Sequence, residues 1–320
     1  MGENQNIDID EIKKLADEGD VESMYNYAEL LYSGKGVKIN KKLAAQYYQK
    51  ASEKGDTKST KEYAIMLYHG LGIVLNKKES YKYFKKAAEM GDVDSMLQYS
   101  EMSEYGDGVE KNYDEAAKYV KKLAELGNKY GLHNYAVYLC YGIGVEKNLP
   151  QSLEYFKLAS QHGFPESMLC AACLYSIGGD GIEVNKMEAA KYYKMAADLG
   201  NVTSMYNYAL LARDGDGIEK NEEDAVHYLK LGVEKNDANC MFLLGEMLYD
   251  GRGVDENKKD AAHYFKIAAD KGNRNAMLRY SEMLKNGNGI EENNEESIRY
   301  LQMAINDGAL ENASIECGIQ

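Results

Sequence analysis

The chain has no tryptophan and only 2 prolines in 320 residues. So little proline excludes proline-rich linkers and collagen-like segments. Cysteine is scarce as well: Cys140, Cys170, Cys173, Cys240 and Cys317 form an odd set without regular spacing. That suits reduced thiols in a cytoplasmic compartment better than a disulfide framework. Long apolar runs are missing. The longest stretch without formal charge, Tyr130 to Val145, falls short of the ~20 residues that span a bilayer. The start, MGENQNIDID, lacks the basic and apolar regions of a secretory signal, and Asn6 stands where a myristoylation signal wants Ser or Thr. No direct membrane insertion is expected. Basic residues are outnumbered, 38 to 52, for a formal charge of −14. The chain therefore lacks the basic stripe that phosphate backbones require, and no nucleic-acid partner is expected.

What is abundant is glycine, 30 residues, and tyrosine, 28. Much glycine is at odds with helix, yet Ala, Leu, Lys, Glu and Met favour it. A repeat reconciles the two. The segment Gly19-Asp-Val-Glu-Ser-Met24 returns as Gly91-Asp-Val-Asp-Ser-Met96 and Gly200-Asn-Val-Thr-Ser-Met205. Anchors fall at Gly19, Gly55, Gly91, Gly127, Gly163, Gly200, Gly272 and Gly308, with Asn236 replacing one glycine. Asn is the other residue that tolerates a left-handed backbone. The step is 36 residues, with one of 37 after Gly163.

Positions are counted from the anchor. Glycines recur at +15 and +17 (Gly34 and Gly36 in the first repeat), followed by Val or Ile, which reads as a tight turn with an apolar plug. In the fifth repeat the glycine pair is read as Gly179 and Gly181, with the extra residue just before it. Two helices fit each repeat. Helix A is capped by Asp or Asn at +1 and buries +5, +8, +9 and +12 (Met24, Tyr27, Ala28, Leu31). Phe164 is the uncapped exception, followed by Pro165. Helix B starts at an Asn in every repeat, with Glu, Gln or Asp three residues later in most, resembling a capping box. It buries +25, +28, +29 and +32, and +28 is always Tyr, from Tyr47 to Tyr300. Stacked pairs can bury both faces of each pair where one pair cannot. The expected fold is therefore all-α: a right-handed α-α superhelical solenoid of antiparallel helix pairs. It forms a single domain over 1–320, with eight repeats over roughly 19–308, a helix before them and a truncated ninth repeat.

The pattern Gly-Asp-x-x-Ser-Met…Gly-x-Gly-Val…Asn-x-x-x-Ala-x-x-Tyr-x-x-x-Ala resembles the Sel-one-like repeat (SLR), a relative of the tetratricopeptide repeat. The likeness covers almost the whole chain. It implies a helical solenoid acting as a non-catalytic adaptor between proteins. A role as accessory subunit of a membrane-associated degradation or signalling complex is the alternative within that family. A β-lactamase-like hydrolase is the alternative from another class, but no Ser-x-x-Lys constellation occurs.

In related solenoids helix A lines the inner surface, which turns attention to +3, +7, +10 and +14. The tetratricopeptide family often uses an Asn near +7 to hold a peptide backbone; Asn26, Asn134 and Asn207 match, and Gln98 is one methylene longer. At +10 the middle repeats are apolar and the ends mostly acidic. Tyr130, Val137, Tyr141, Cys170, Cys173 and Leu210 complete a candidate groove. It is suited to an extended or helical protein segment with basic flanks. No cofactor and no metal site are expected: Cys170 and Cys173 make one isolated Cys-x-x-Cys. His227 and His263 read as surface positions. Met303 and Ile305 near the last repeat suggest end-to-end self-association.

Overall fold

The computed structural model describes residues 9–316, and the side chains of 9–306. A first helix, α1 (Ile9–Glu18), precedes the helix pairs. In order these are α2 (Val21–Ser33) with α3 (Lys41–Glu53), α4 (Thr57–His69) with α5 (Lys77–Glu89), α6 (Val93–Tyr105) with α7 (Tyr113–Glu125), and α8 (Lys129–Tyr141) with α9 (Leu149–Gln161). There follow α10 (Pro165–Ile177) with α11 (Lys186–Asp198), α12 (Val202–Asp214) with α13 (Glu222–Glu234), α14 (Ala238–Asp250) with α15 (Lys258–Asp270), and α16 (Arg274–Asn286) with α17 (Asn294–Glu316). Among the described residues there is no strand, only an isolated bridge between Gly179 and Ile182. By its internal contacts the chain divides into two compact units, Met1–Tyr155 and Phe156–Gln320. Within each, consecutive helices pack on one another: α1 to α8 in the first unit and α10 to α17 in the second.

The helix boundaries follow from local chemistry. Asp20, Asp56 and Asp92 accept the backbone N–H three residues on, in the manner of N-caps. Asn40, Asn76, Asn112 and Asn148 do the same for the helices that follow them. Phe164 makes no side-chain cap, and Pro165 opens α10. The capping-box expectation is corrected in one respect. The backbone N–H of each cap Asn does not turn to the side chain three residues ahead, which is Leu43, Glu79, Glu115 or Gln151 in the first four repeats. It donates to a carbonyl near the end of the preceding helix A: Asn40 to Leu31, Asn76 to Leu67, Asn112 to Ser103, Asn148 to Leu139. One residue thus starts helix B and ties it to helix A.

The fifth repeat carries a second correction. Its first helix ends at Ile177 with Gly178, φ 74°, as the cap, so Gly178 rather than Gly179 is the equivalent of Gly34. The extra residue lies between the two turn glycines, where the Gly179–Ile182 bridge absorbs it. Asn236 has φ 65°, the left-handed conformation expected of a substitute for an anchor glycine. The second turn glycine has an additional reason to lack a side chain. At Gly144 a Cβ would stand 2.1 Å from the Tyr113 carbonyl oxygen, at the start of the previous repeat's helix B.

The cores are built from the expected stripes. Met24, Tyr27, Ala28, Leu31, Ala44, Tyr47, Tyr48 and Ala51 form one cluster of the first unit. The tyrosines at +8 and +28 meet edge to face, with centroids 5.1 Å apart for Tyr27–Tyr47, 4.7 Å for Tyr99–Tyr119 and 4.9 Å for Tyr280–Tyr300. The +28 ring is buried at Tyr47, Tyr119, Tyr192, Tyr228 and Tyr300 but only half-buried at Tyr83, Tyr155 and Tyr264. Its phenol explains the difference from a purely apolar core position. Tyr47 donates to Asp17, Tyr228 to Asp198, and Tyr300 to Asp270 at 2.6 Å. Each carboxylate sits two residues before the next anchor glycine, at the end of the previous helix B. Burial, with Asp270 beside it, pushes the Tyr300 phenol up to about 12. The last helix, α17, runs on as one helix through Gly308 to Glu316.

Candidate partner-binding face

Helix A of each repeat turns +5, +8, +9 and +12 into the core, which leaves +3, +7, +10 and +14 along its other side. On α8 these positions are Tyr130, Asn134, Val137 and Tyr141, one per turn or so. Tyr130 is 46% exposed and Tyr141 74% exposed, while Asn134 and Val137 are half-buried. The four side chains therefore share one face of α8. On α6 the same positions include Gln98, half-buried, Glu101, half-buried, and Tyr105, 68% exposed. Asn26 lies on α2, at the same register two repeats earlier, and is exposed.

The α6 and α8 faces are joined directly: the Tyr138 phenol donates to Glu104 at 2.7 Å. Burial, reinforced by Glu104, pushes that phenol up. Nearer the chain start, Tyr48 donates to Glu29. Among the described residues, two carboxylates of this face have no such donor. Burial raises the Glu62 carboxyl, and the neighbouring Glu29 adds to it. Burial likewise raises Glu101, with Glu104 as the second cause. Lys61, beside Glu62, is engaged with Asp94 at 3.0 Å and Asp92 at 3.6 Å.

In the second unit, Cys170 and Cys173 lie on α10 and Asn207 and Leu210 on α12, all half-buried. Cys173 approaches the Tyr193 hydroxyl at 3.5 Å. The Asn207 amide donates to the Thr203 carbonyl of its own helix at 2.9 Å, so part of its hydrogen-bonding capacity is already used. Asn207 and Leu210 border an open depression of about 370 Å³ with Tyr193, Arg213 and Asp214. The sequence-selected residues thus fall into two groups, one in each unit.

Sequence reasoning missed Tyr105 and Glu104, whereas Glu62 and Glu101 fall in the +7 and +10 series of the expected inner face. The signal for Tyr105 was available, since it shares +14 with Tyr141. The spacing put Glu62 and Glu101 on that face as acidic residues; their partial burial is what the structure adds. His227 and His263 are exposed, as expected. Met303 and Ile305 on α17 are exposed too. Among the described residues no group of His, Cys, Asp and Glu is placed to hold a metal ion, and no helix is long and apolar enough to cross a membrane.

A family model described as Sel1 repeat matches residues 21–56, 60–92, 93–128, 129–164, 166–201, 202–237, 238–273 and 274–308. Among solved structures, the chain is similar to a protective antigen of uropathogenic Escherichia coli strains that displays an SLR fold. The identity is 25% and the TM-score 0.77 over 92% of this chain. The chain spans 63% of that antigen's length. It is also similar to a Sel1 repeat protein from Oxalobacter formigenes, with 20% identity and a TM-score of 0.74, covering 95% of this chain and 89% of the other. No curated protein matches the chain.

Proposed function

The chain belongs to the Sel1 repeat family, and from that premise we propose that it is a non-catalytic scaffold that holds a segment of another protein against its helix-A face. The observation that carries this reading is the α8 face. Tyr130 and Tyr141 stand exposed on either side of half-buried Asn134 and Val137. Large amphipathic rings left outside the core supply contact area at small entropic cost. The amide between them can serve a peptide backbone, and Val137 provides an apolar floor. The proteins such a scaffold serves share its compartment, for which we propose the cytoplasm.

The test pairs Tyr141→Ala with Val137→Glu in one variant. Neither side chain is fully buried, so the thermal melt followed by circular dichroism should stay close to that of the parent protein. Affinity capture with parent and variant in parallel should then show specific partners lost from the variant alone. Partners retained by the folded variant would place binding elsewhere. A large drop in melting temperature would assign both residues to the core.

A further inference from the structure

We propose that the α6–α8 face of the first unit selects a partner segment by an arginine or lysine side chain, with the Glu101 carboxylate pairing with the cation and the exposed rings of Tyr105 and Tyr141 covering its stem. The inference rests on the reading of this face as a partner-binding surface and deepens it by naming the chemistry of the occupant.

Three observations converge. First, Glu101 is half-buried, yet no hydrogen bond or ion pair reaches its carboxylate among the described residues. A carboxylate held out of water without a partner is costly, and a cation brought by a ligand removes that cost. Its neighbour Glu104 already accepts the Tyr138 phenol, so the like charge beside Glu101 is fixed in place.

Second, the rings are the right kind and in the right register. Tyr105 and Tyr141 are 68% and 74% exposed. They occupy equivalent positions on two helices that the Tyr138–Glu104 bond joins. A ring face next to a carboxylate favours a guanidinium or ammonium over any neutral group. Within the unit this use of tyrosine already occurs: Lys58 lies over Tyr25 at 5.7 Å and Lys77 over Tyr68 at 4.7 Å.

Third, the charge of the face is mainly negative, with Lys58 at +3 of α4 lying over Tyr25. Glu29, Glu62, Glu101 and Glu104 line α2, α4 and α6. The nearby Lys61 is spent on Asp92 and Asp94. An acidic segment would meet like charge along its length; a basic one would be steered in. Val137, in the same register on α8 as Glu101 on α6, places an apolar contact beside the cation site.

The experiment is a selection of random twelve-residue peptides displayed against the full chain, followed by binding measurements on the enriched sequences. The expected result is an arginine or lysine beside apolar residues. Replacing that residue by citrulline or glutamine, or the protein's Glu101 by Gln, should weaken binding roughly tenfold or more, since one charged pair is lost. Glu101→Gln should leave the thermal melt unchanged or raised, because this carboxylate has no hydrogen-bond or ion-pair partner among the described residues. Peptides lost with a Tyr105→Ala/Tyr141→Ala variant but lacking a basic residue and indifferent to Glu101→Gln would overturn the cation site while leaving the face intact. Peptides unaffected by the Tyr105→Ala/Tyr141→Ala variant, whose two rings are exposed, or no enrichment at all, would overturn the face itself and this inference with it.

Discussion

Gly131 lies inside α8, where glycine costs about 1 kcal/mol relative to alanine. Local reasoning therefore recommends replacing it. The tertiary contacts demand the opposite. A Cβ on Gly131 would stand 2.4 Å from the Leu123 Cβ, 2.6 Å from the Leu123 carbonyl carbon and 2.7 Å from the Ala124 nitrogen. Two of these atoms are backbone and cannot swing away. Leu123 is at +32 of one repeat and Gly131 at +4 of the next. At four other junctions this pair is Ala51 with Ser59, Ala87 with Ser95, Ala159 with Ser167, and Ala196 with Ser204; at two it is Gly232 with Cys240 and Ala268 with Ala276. At the α7–α8 junction the glycine lets the two backbones approach more closely than a Cβ at position 131 would allow.

The contact predicts a loss that does not depend on the Leu123 side chain. Gly131→Ser in the parent protein overpacks the α7–α8 contact, at about 1–3 kcal/mol, less about half a kcal/mol regained in helix propensity. Leu123→Ala removes a fully buried side chain of the Tyr99–Tyr119 core, at about 2–5 kcal/mol. It leaves in place the Cβ, the carbonyl carbon and the following nitrogen that a Cβ at position 131 would meet. Gly131→Ser should therefore destabilise both the parent and the Leu123→Ala variant. Urea denaturation followed by far-UV circular dichroism measures the loss, with the m-value checked for constancy. Repeat arrays can unfold in parts, so hydrogen exchange of α7 and α8 amides gives a local readout of the same comparison. A serine that stabilised either background would refute the steric account of Gly131.

Other consequences follow from the contacts between repeats. Tyr300→Phe keeps the edge-to-face contact with Tyr280 but loses the bond to Asp270. It should cost about 1–3 kcal/mol, clearly less than the ~3–5 kcal/mol of Tyr300→Ala; equal losses in denaturant titrations would show that the ring contributes nothing. Lys77 pairs with Asp107 at 2.7 Å, Lys186 with Asp216 at 3.5 Å, and Glu222 with Arg252 at 2.8 Å in reversed polarity. Reversing the third pair again, Glu222→Lys with Arg252→Asp, should be tolerated better than either change alone. The expected difference is about 1 kcal/mol, because both side chains are partly covered yet still reached by water. Hydrogen bonds from Lys77 and Tyr68 hold the Asp107 carboxyl below its ordinary 3.8. Stability from that carboxylate is present above the unfolded value and is lost as pH falls through the lower folded value. The gap in melting temperature between the parent and Asp107→Asn should therefore shrink toward zero in strong acid, and a gap that widened would contradict the assignment.

Much of the fold was legible because it is written in short-range terms. A cap residue, an i, i+3, i+4, i+7 stripe and a positive-φ glycine act within one or two helical turns. Eight passes over the same 36 residues made them unmistakable. The errors arose where the deciding partner lay elsewhere. Gly178 and Gly179 look equivalent in sequence, and only the end of α10 distinguishes them. The polar residue three positions after most cap Asn looked like the acceptor of its backbone N–H, but a carbonyl of the preceding helix takes that bond instead, and Asp260 is met by the Asn257 side-chain amide. The candidate face was half legible. Tyr141, Val137, Asn134 and Glu101 follow from helical spacing, whereas the partial burial of Glu101 does not.

The amino-acid sequence by itself determined that the chain is a repeating series of helix pairs, where each helix starts and stops, and which residues are left off the buried stripes. Those properties depend on neighbours within a few residues, and the repeats supply them in phase. Tertiary structure decided which residues meet across repeats roughly thirty positions apart. It set Tyr47 against Asp17, Gly144 against the Tyr113 backbone and Leu123 against Gly131, and it left Glu101 partly dehydrated without a donor. Such meetings depend on the stagger of one helix pair on the next. A few tenths of an ångström there separate an ordinary contact from a forbidden one, and the identity of a residue does not reveal that distance.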